Sequence, residues 1–297
     1  MSIPFDEEAG NAIFSTLDVN GAFRPEIAAY LREIGQARPS VVLAFAPKAA
    51  GTFLRTAAID AIGGQLVRTV QAQGGRDAQF YLPIFLMYYA GGFPARPLVT
   101  HAHMQALPAN IHFIEALDLK PVIMVRPLPD MLVSYLDMLE DSQAPETWLN
   151  IQIPAGWRDF SDTAKADFLI DMMAPWYASY FATWLDYAGR DGRVLVLDYD
   201  EFRADPAHSL ECLLLHSRFH VTRAACQAAL DAVWQDRHDF RYRQGVSGRG
   251  AARFTPAQMD RLRHMLAFYP QLAPWMERLI PPPSTASAQR ARSSTAA

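Results

Sequence analysis

Val41-Val42-Leu43-Ala44-Phe45-Ala46-Pro47-Lys48-Ala49-Ala50-Gly51-Thr52-Phe53-Leu54 is the stretch on which the reading of this chain turns. From Val41 to Phe45 the residues are apolar with no polar alternation, the pattern of a strand covered on both faces. Pro47 ends it. Ala49, Ala50 and Gly51 then form a loop with almost no side chain, which lets a ligand come close to the backbone. Leu54, Ala58, Ala61 and Ile62 recur at i, i+4, i+7 and i+8, so a helix is expected up to Gly63-Gly64. Strand, bare loop and helix N-terminus together make an anion site, because N–H groups and the helix dipole point at one spot. Lys48 adds a full positive charge there. A nucleoside-triphosphate loop needs its lysine directly after the last glycine, as in G-x-x-x-x-G-K-[ST]. Here the lysine stands three residues before Gly51.

Outward from this stretch, the chain alternates strand and helix signals. Pro25 to Gln36 reads as a helix, with Ile27, Tyr30, Leu31 and Ile34 on one face. Leu98 to His101 reads as a short strand, and Val122 to Val125 and Val194 to Leu197 as further buried strands. Leu132, Tyr135, Leu136 and Leu139 set a helix after Pro129, and Ala164 to Tyr187 a long one broken at Pro175. Gln143 to Thr163 reads as an irregular insert of the kind that serves as a lid. Thr255 opens a last helix with Pro256 in its first turn. The resulting class is α/β, a mainly parallel sheet flanked by helices, with ligands expected at the carboxyl ends of the strands. Residues 1–39 form an N-terminal arm and helix, 40–280 the main domain, and 281–297, rich in Pro, Ser, Thr, Ala and Arg, a disordered tail.

Composition narrows the function. Of 297 residues, 51% are hydrophobic and 20% charged, as in an ordinary globule. A net charge of -4 argues against general nucleic-acid binding, so any positive patch is local. Cys212 and Cys226 supply neither a disulfide framework nor a metal cluster. The start, Met1 to Glu8, has no basic and apolar leader pattern, and no apolar run reaches about 18 residues, so a cytoplasmic protein without membrane insertion is expected.

Polar residues gather at the expected strand ends: Lys48 and Thr52, then His101 and His103, then Arg126 and Ser134, then Tyr199. Arg241, Arg243, Gly245, Gly248 and Arg249 form a late basic loop. Two cationic places suit a ligand with phosphates at both ends. Lysine occurs only at 48, 120 and 165, and a compact charge at an anion loop fits a point-charge role.

In this arrangement the chain resembles the PAPS-dependent sulfotransferases of cytosolic type, which have a P-loop-like fold. Pro47-Lys48-Ala49-Ala50-Gly51-Thr52-Phe53-Leu54 is similar to the family loop P-K-S-G-T-T-[WF]-L, which holds the 5′-phosphosulfate. Arg126-Pro127-Leu128-Pro129-Asp130 followed by Ser134 resembles R-N-P-R-D-x-x-x-S, the 3′-phosphate element, with the same eight-residue step from arginine to serine. Thr100-His101 followed by Leu107-Pro108 resembles the segment of the catalytic histidine. Tyr199-Asp200-Glu201-Phe202 with Asp205-Pro206 is similar to Y-E-D-L-x-x-D-P, and Arg243-Gln244-Gly245 with Gly248 to R-K-G-x-x-G. The five motifs keep the family's order over roughly residues 41–270.

The resemblance implies transfer of a sulfonate group from PAPS, as co-substrate and without a metal, to a hydroxyl on a small-molecule, lipid, peptide or sugar acceptor. It implies in-line displacement with His101 as base, His103 competing for that role, and Lys48 at the departing phosphate oxygen. It implies donor binding by Lys48, Ala49, Ala50, Gly51, Thr52, Phe53, Arg126, Ser134, Tyr199, Arg243, Gln244 and Gly245. Phe53 is expected to stack on adenine and Tyr199 to touch its edge. Phe80, Tyr81, Phe85 and the 143–163 insert would give an apolar acceptor cleft. Two departures weaken donor contacts: Ala-Ala-Gly replaces Ser-Gly-Thr, losing a hydroxyl, and Gln244 replaces a lysine near the 3′-phosphate, which weakens that contact unless Arg241 or Arg249 substitutes. The alternative readings are a P-loop nucleotide kinase or hydrolase, and a non-catalytic nucleotide-binding protein of the same fold. His101 and His103 alternate and so also fit a metal pair, Arg126 fits a structural bridge to Asp130, and Tyr199 fits a core position.

Overall fold

The computed structural model describes residues 25–67, 80, 96–141, 147–148, 151–235 and 247–282. Helix α1, Pro25–Ala37, precedes strand β1, Ser40–Leu43, which is wholly buried. Helix α2, Gly51–Ile62, follows the bare loop and stops at Gly63, whose φ of 58° is the left-handed turn that glycine adopts without strain. Strand β2, Gln65–Leu66, is too short for any hydrophobic period to announce it. Next come β3, Leu98–His101, α3, Pro108–Ala116, β4, Pro121–Val125, and α4, Leu128–Asp141.

The five-stranded sheet has the order β2-β3-β1-β4-β7, where β7 is Leu195–Asp198, and every pair in it is parallel. Leu43 lies beside His101, and Val125 beside Asp198, so the carboxyl ends of four strands come out at one edge. Burial on both faces explains the unbroken apolar runs in β1 and β4.

The insert is not wholly irregular. Thr147–Trp148 (β5) and Ile151–Gln152 (β6) pair antiparallel, and Trp157 is buried beside Phe168. The aromatic stretch after it is two helices, α5, Asp162–Met172, and α6, Ala174–Asp191, the break falling just before Pro175, which sits in the first turn of the second. Beyond β7 come α7, Tyr199–Ala204, α8, Pro206–His216, α9, Arg223–Gln235, α10, Arg249–Arg253, and α11, Pro256–Ala267. Thr255 caps α11 in a reciprocal pair with Gln258. A 3-10 segment, Pro270–Trp275, and α12, Met276–Leu279, close the described chain. Among the described residues no helix is long and apolar enough to cross a membrane.

Candidate active site at the carboxyl edge of the sheet

The loop between β1 and α2 is held in an unusual backbone. Lys48 and Ala50 have φ of 65° and 61°, a left-handed conformation that is costly for residues with a Cβ. It turns the chain from the buried strand into α2 with Ala50 as the capping residue. The first turn of α2, from Gly51 to Phe53, has no preceding helical carbonyls for its N–H groups, the usual basis of an anion site.

Arg126 leaves the end of β4 and is buried at 6% exposure. Its Nη1 donates to the carbonyl oxygen of Lys48 at 2.6 Å. Its guanidinium also lies over the ring of Tyr199, 4.2 Å from the centroid. Lys48 and Arg126 therefore belong to one place, and the two cationic motifs meet directly. Tyr199 is buried at the start of α7 as the aromatic floor beneath the arginine. Asp198 caps that helix through the N–H groups of Asp200 and Glu201.

Asp130 faces the late loop. It is 2% exposed, and its two carboxylate oxygens accept the N–H groups of Gly248 at 2.8 Å and Gly250 at 2.7 Å. Gly250 lies so close to Pro129 that an added Cβ would stand 2.2 Å from the proline Cβ, which only glycine permits. Arg249 pairs with Asp137 at 2.8 Å, one helical turn beyond the half-buried Ser134. The Ser247 hydroxyl donates to Asp200. The segment 247–250 is thus tied to both α4 and α7. Arg241, Arg243, Gln244 and Gly245 lie outside the described residues, as do Tyr81 and Phe85.

His101, at the end of β3, is 7% exposed, and its ring rests on the loop. A Cβ at Gly51 would stand 2.4 Å from its Nε2 and 2.5 Å from its Cε1. The missing side chain at position 51 is what lets the imidazole reach the start of α2. His103 is half-buried, with its ring 5.2 Å from that of His101 in an edge-on arrangement. Among the described residues no group of three histidine, cysteine or acidic side chains is placed to hold a metal.

Phe53 packs between Phe202 at 6.1 Å and Trp234 at 5.2 Å between centroids. Trp234, near the end of α9, is 38% exposed and presents a large aromatic surface beside Phe53 in the first turn of α2. Sequence reasoning did not single it out, since one tryptophan at the end of an amphipathic helix looks like any other packing residue. The buried face of α6 packs into the core. Its polar tips do more: Tyr177 donates to the Pro47 carbonyl, Tyr180 to that of Ala44, and the indole N–H of Trp184 to that of Met104. These carbonyls lie just past the strands, where the sheet ladder no longer serves them. Burial pushes the Tyr180 hydroxyl well up from its ordinary pKa, even with a backbone hydrogen bond at Ala46 acting the other way, so it stays a donor.

Residues 94–236 match the sulfotransferase domain family. No curated protein matches the sequence. Among solved structures, the mouse sulfotransferase SULT7A1 complexed with PAP superposes with a TM-score of 0.61 at 14% identity, covering 88% of this chain and 96% of that one. A retinol dehydratase in complex with retinol and PAP gives a TM-score of 0.50 at 12% identity, covering 92% and 98%. At such identities the likeness is one of fold.

Proposed function

We propose that this chain is a PAPS-dependent sulfotransferase that moves a sulfonate group from PAPS to a hydroxyl group of a small-molecule acceptor. The observation that carries the reading is the hydrogen bond from Arg126 to the Lys48 carbonyl, which joins the two cationic motifs at one sheet edge. The residues present fit a nucleotide phosphorylated at both ribose ends. The α2 N-terminus and Lys48 suit the 5′ end, and Arg126 with Ser134 the 3′ end. Trp234, exposed beside the buried Phe53, offers ring surface for the base, and stacking of this kind contributes about 1–3 kcal/mol.

When bound, PAPS supplies an activated sulfonate. An acceptor oxygen forms the new O–S bond as the bond from sulfur to the bridging phosphate oxygen breaks, and that oxygen keeps the electron pair. His101 or His103 takes the acceptor proton, a task suited to an imidazole, whose ordinary pKa is about 6.5. Lys48 and the first-turn N–H groups of α2 face the charge that grows on the leaving oxygen. The loss of the usual loop hydroxyls leaves Thr52 as the hydroxyl of the loop and throws more of the work onto backbone N–H groups.

The test has two arms. Calorimetry with adenosine 3′,5′-bisphosphate measures the nucleotide site, and incubation with PAPS and a metabolite extract, read by mass spectrometry, identifies sulfonated products. Tight bisphosphate binding with new products supports the reading. Bisphosphate binding without any product favours a non-catalytic nucleotide binder, and magnesium-dependent ATP turnover favours a kinase or hydrolase.

A further inference from the structure

Lys48 sits in a backbone conformation that its own Cβ disfavours, and strain of this kind persists only where the surroundings over-determine it. The peptide carbonyls on either side of Lys48 are both held. Arg126 donates to the Lys48 carbonyl, and the hydroxyl of Tyr177 donates to that of Pro47 at 3.2 Å. Tyr177 is wholly buried in α6, a turn away from Tyr180, which makes the same kind of bond to Ala44.

We infer that Tyr177 is a positioning residue for the transfer reaction: with Arg126 it clamps the two peptide units flanking Lys48 and so aims the ammonium at the leaving oxygen. The inference rests on the function proposed above. A Lys48 side chain on a relaxed backbone would still be cationic but would point elsewhere, and a misplacement of about 1 Å costs on the order of 100-fold in rate. Tyr180 serves as an internal comparison. Its hydroxyl is as deeply buried and its partner is also a loop carbonyl, but Ala44 lies four residues before Lys48. A purely structural role predicts the same behaviour for both tyrosines; positioning predicts a difference.

The experiment compares Tyr177→Phe with Tyr180→Phe, in both the native and the Lys48→Ala background. Single-turnover release of adenosine 3′,5′-bisphosphate from PAPS, with water as acceptor, reads chemistry. Calorimetry with the bisphosphate reads binding. Reductive methylation followed by mass spectrometry reads Lys48 directly, because the chain has lysine only at 48, 120 and 165. Tyr177→Phe is expected to slow release by about 10- to 100-fold, to leave bisphosphate affinity within about twofold, and to change the methylation rate of Lys48 alone. Tyr180→Phe is expected to leave release and Lys48 labelling as in the native protein. In the Lys48→Ala background Tyr177→Phe has no further effect, since a residue acting through Lys48 cannot act without it. Equal effects of the two tyrosines, effects that multiply with Lys48→Ala, or unchanged Lys48 labelling overturn the inference. Native protein that releases bisphosphate no faster than Lys48→Ala overturns instead the function on which it rests.

Discussion

Replacing Gly51 by alanine adds one methyl group at the point where the start of α2 meets His101. The new Cβ would lie 2.4 Å from Nε2 and 2.5 Å from Cε1 of His101, and 3.2 Å from Cδ2 of Phe45. The imidazole must recede by about 1 Å to regain an ordinary contact of ~3.5 Å. It has little room to do so, being buried between Phe45 at 6.2 Å and His103 at 5.2 Å between ring centroids. A displacement of about 1 Å at a reacting group costs on the order of 100-fold, or about 2.7 kcal/mol in the barrier. Stability moves less. Overpacking costs about 1–3 kcal/mol, and alanine in a helix recovers about 0.5–1 kcal/mol relative to glycine, so the midpoint of thermal unfolding falls by only a few degrees. The assay is single-turnover release of adenosine 3′,5′-bisphosphate from PAPS, set beside calorimetric affinity for the same bisphosphate. Slow release with nearly native affinity is expected. Release within twofold of the native rate would refute the reasoning, and so would a loss of affinity as large as the loss of rate, which would mean that the loop had moved and not the histidine.

Three further outcomes follow from the same geometry. His101→Ala is expected to lose turnover while keeping bisphosphate affinity in calorimetry, and His103→Ala doing so in its place would move the base to position 103. Asp130→Asn keeps one acceptor but turns an N–H2 group toward a backbone N–H, so a loss of about 1–3 kcal/mol in denaturant unfolding and about tenfold weaker bisphosphate binding are expected; native values in both would show that the Gly248 and Gly250 contacts do not shape the site. His216, whose Nε2 contacts the Arg193 carbonyl at 3.0 Å, has its pKa lowered, first by burial, and by Lys120 and Arg218 nearby, against the opposing backbone hydrogen bonds. The unfolded chain therefore binds a proton that the native protein refuses. The stability linked to this group is complete above about pH 6.5 and is lost as pH falls from there through the lower native value. Thermal unfolding measured against pH should show this acid-side slope, and His216→Gln should abolish it.

Much of the frame could be read from local pattern. Val41–Phe45 and Val122–Val125 are apolar without alternation because parallel strands are covered on both faces, and these two and Leu98–His101 are each a strand within two residues of the expected bounds. Thr255-Pro256 and Gly63 mark helix ends through chemistry that acts within one turn. Strand β2 was not legible, since two residues carry no period, and the insert's short β5–β6 pair was hidden for the same reason.

The sequence by itself determined that Lys48, His101, Arg126 and Tyr199 lie at or just past strand ends, and parallel pairing then put them on one edge. Only the tertiary structure decided how they touch. Arg126 grips the Lys48 carbonyl 78 positions away, Asp130 holds two N–H groups almost 120 positions on, and Tyr177 reaches Pro47 across 130. Nothing in the residues near Gly51 says that an imidazole 50 places later will rest on its bare Cα. Periodicity and capping are short-range properties that a single stretch encodes, whereas contacts such as these exist only after the packing of whole elements has fixed the distance between them.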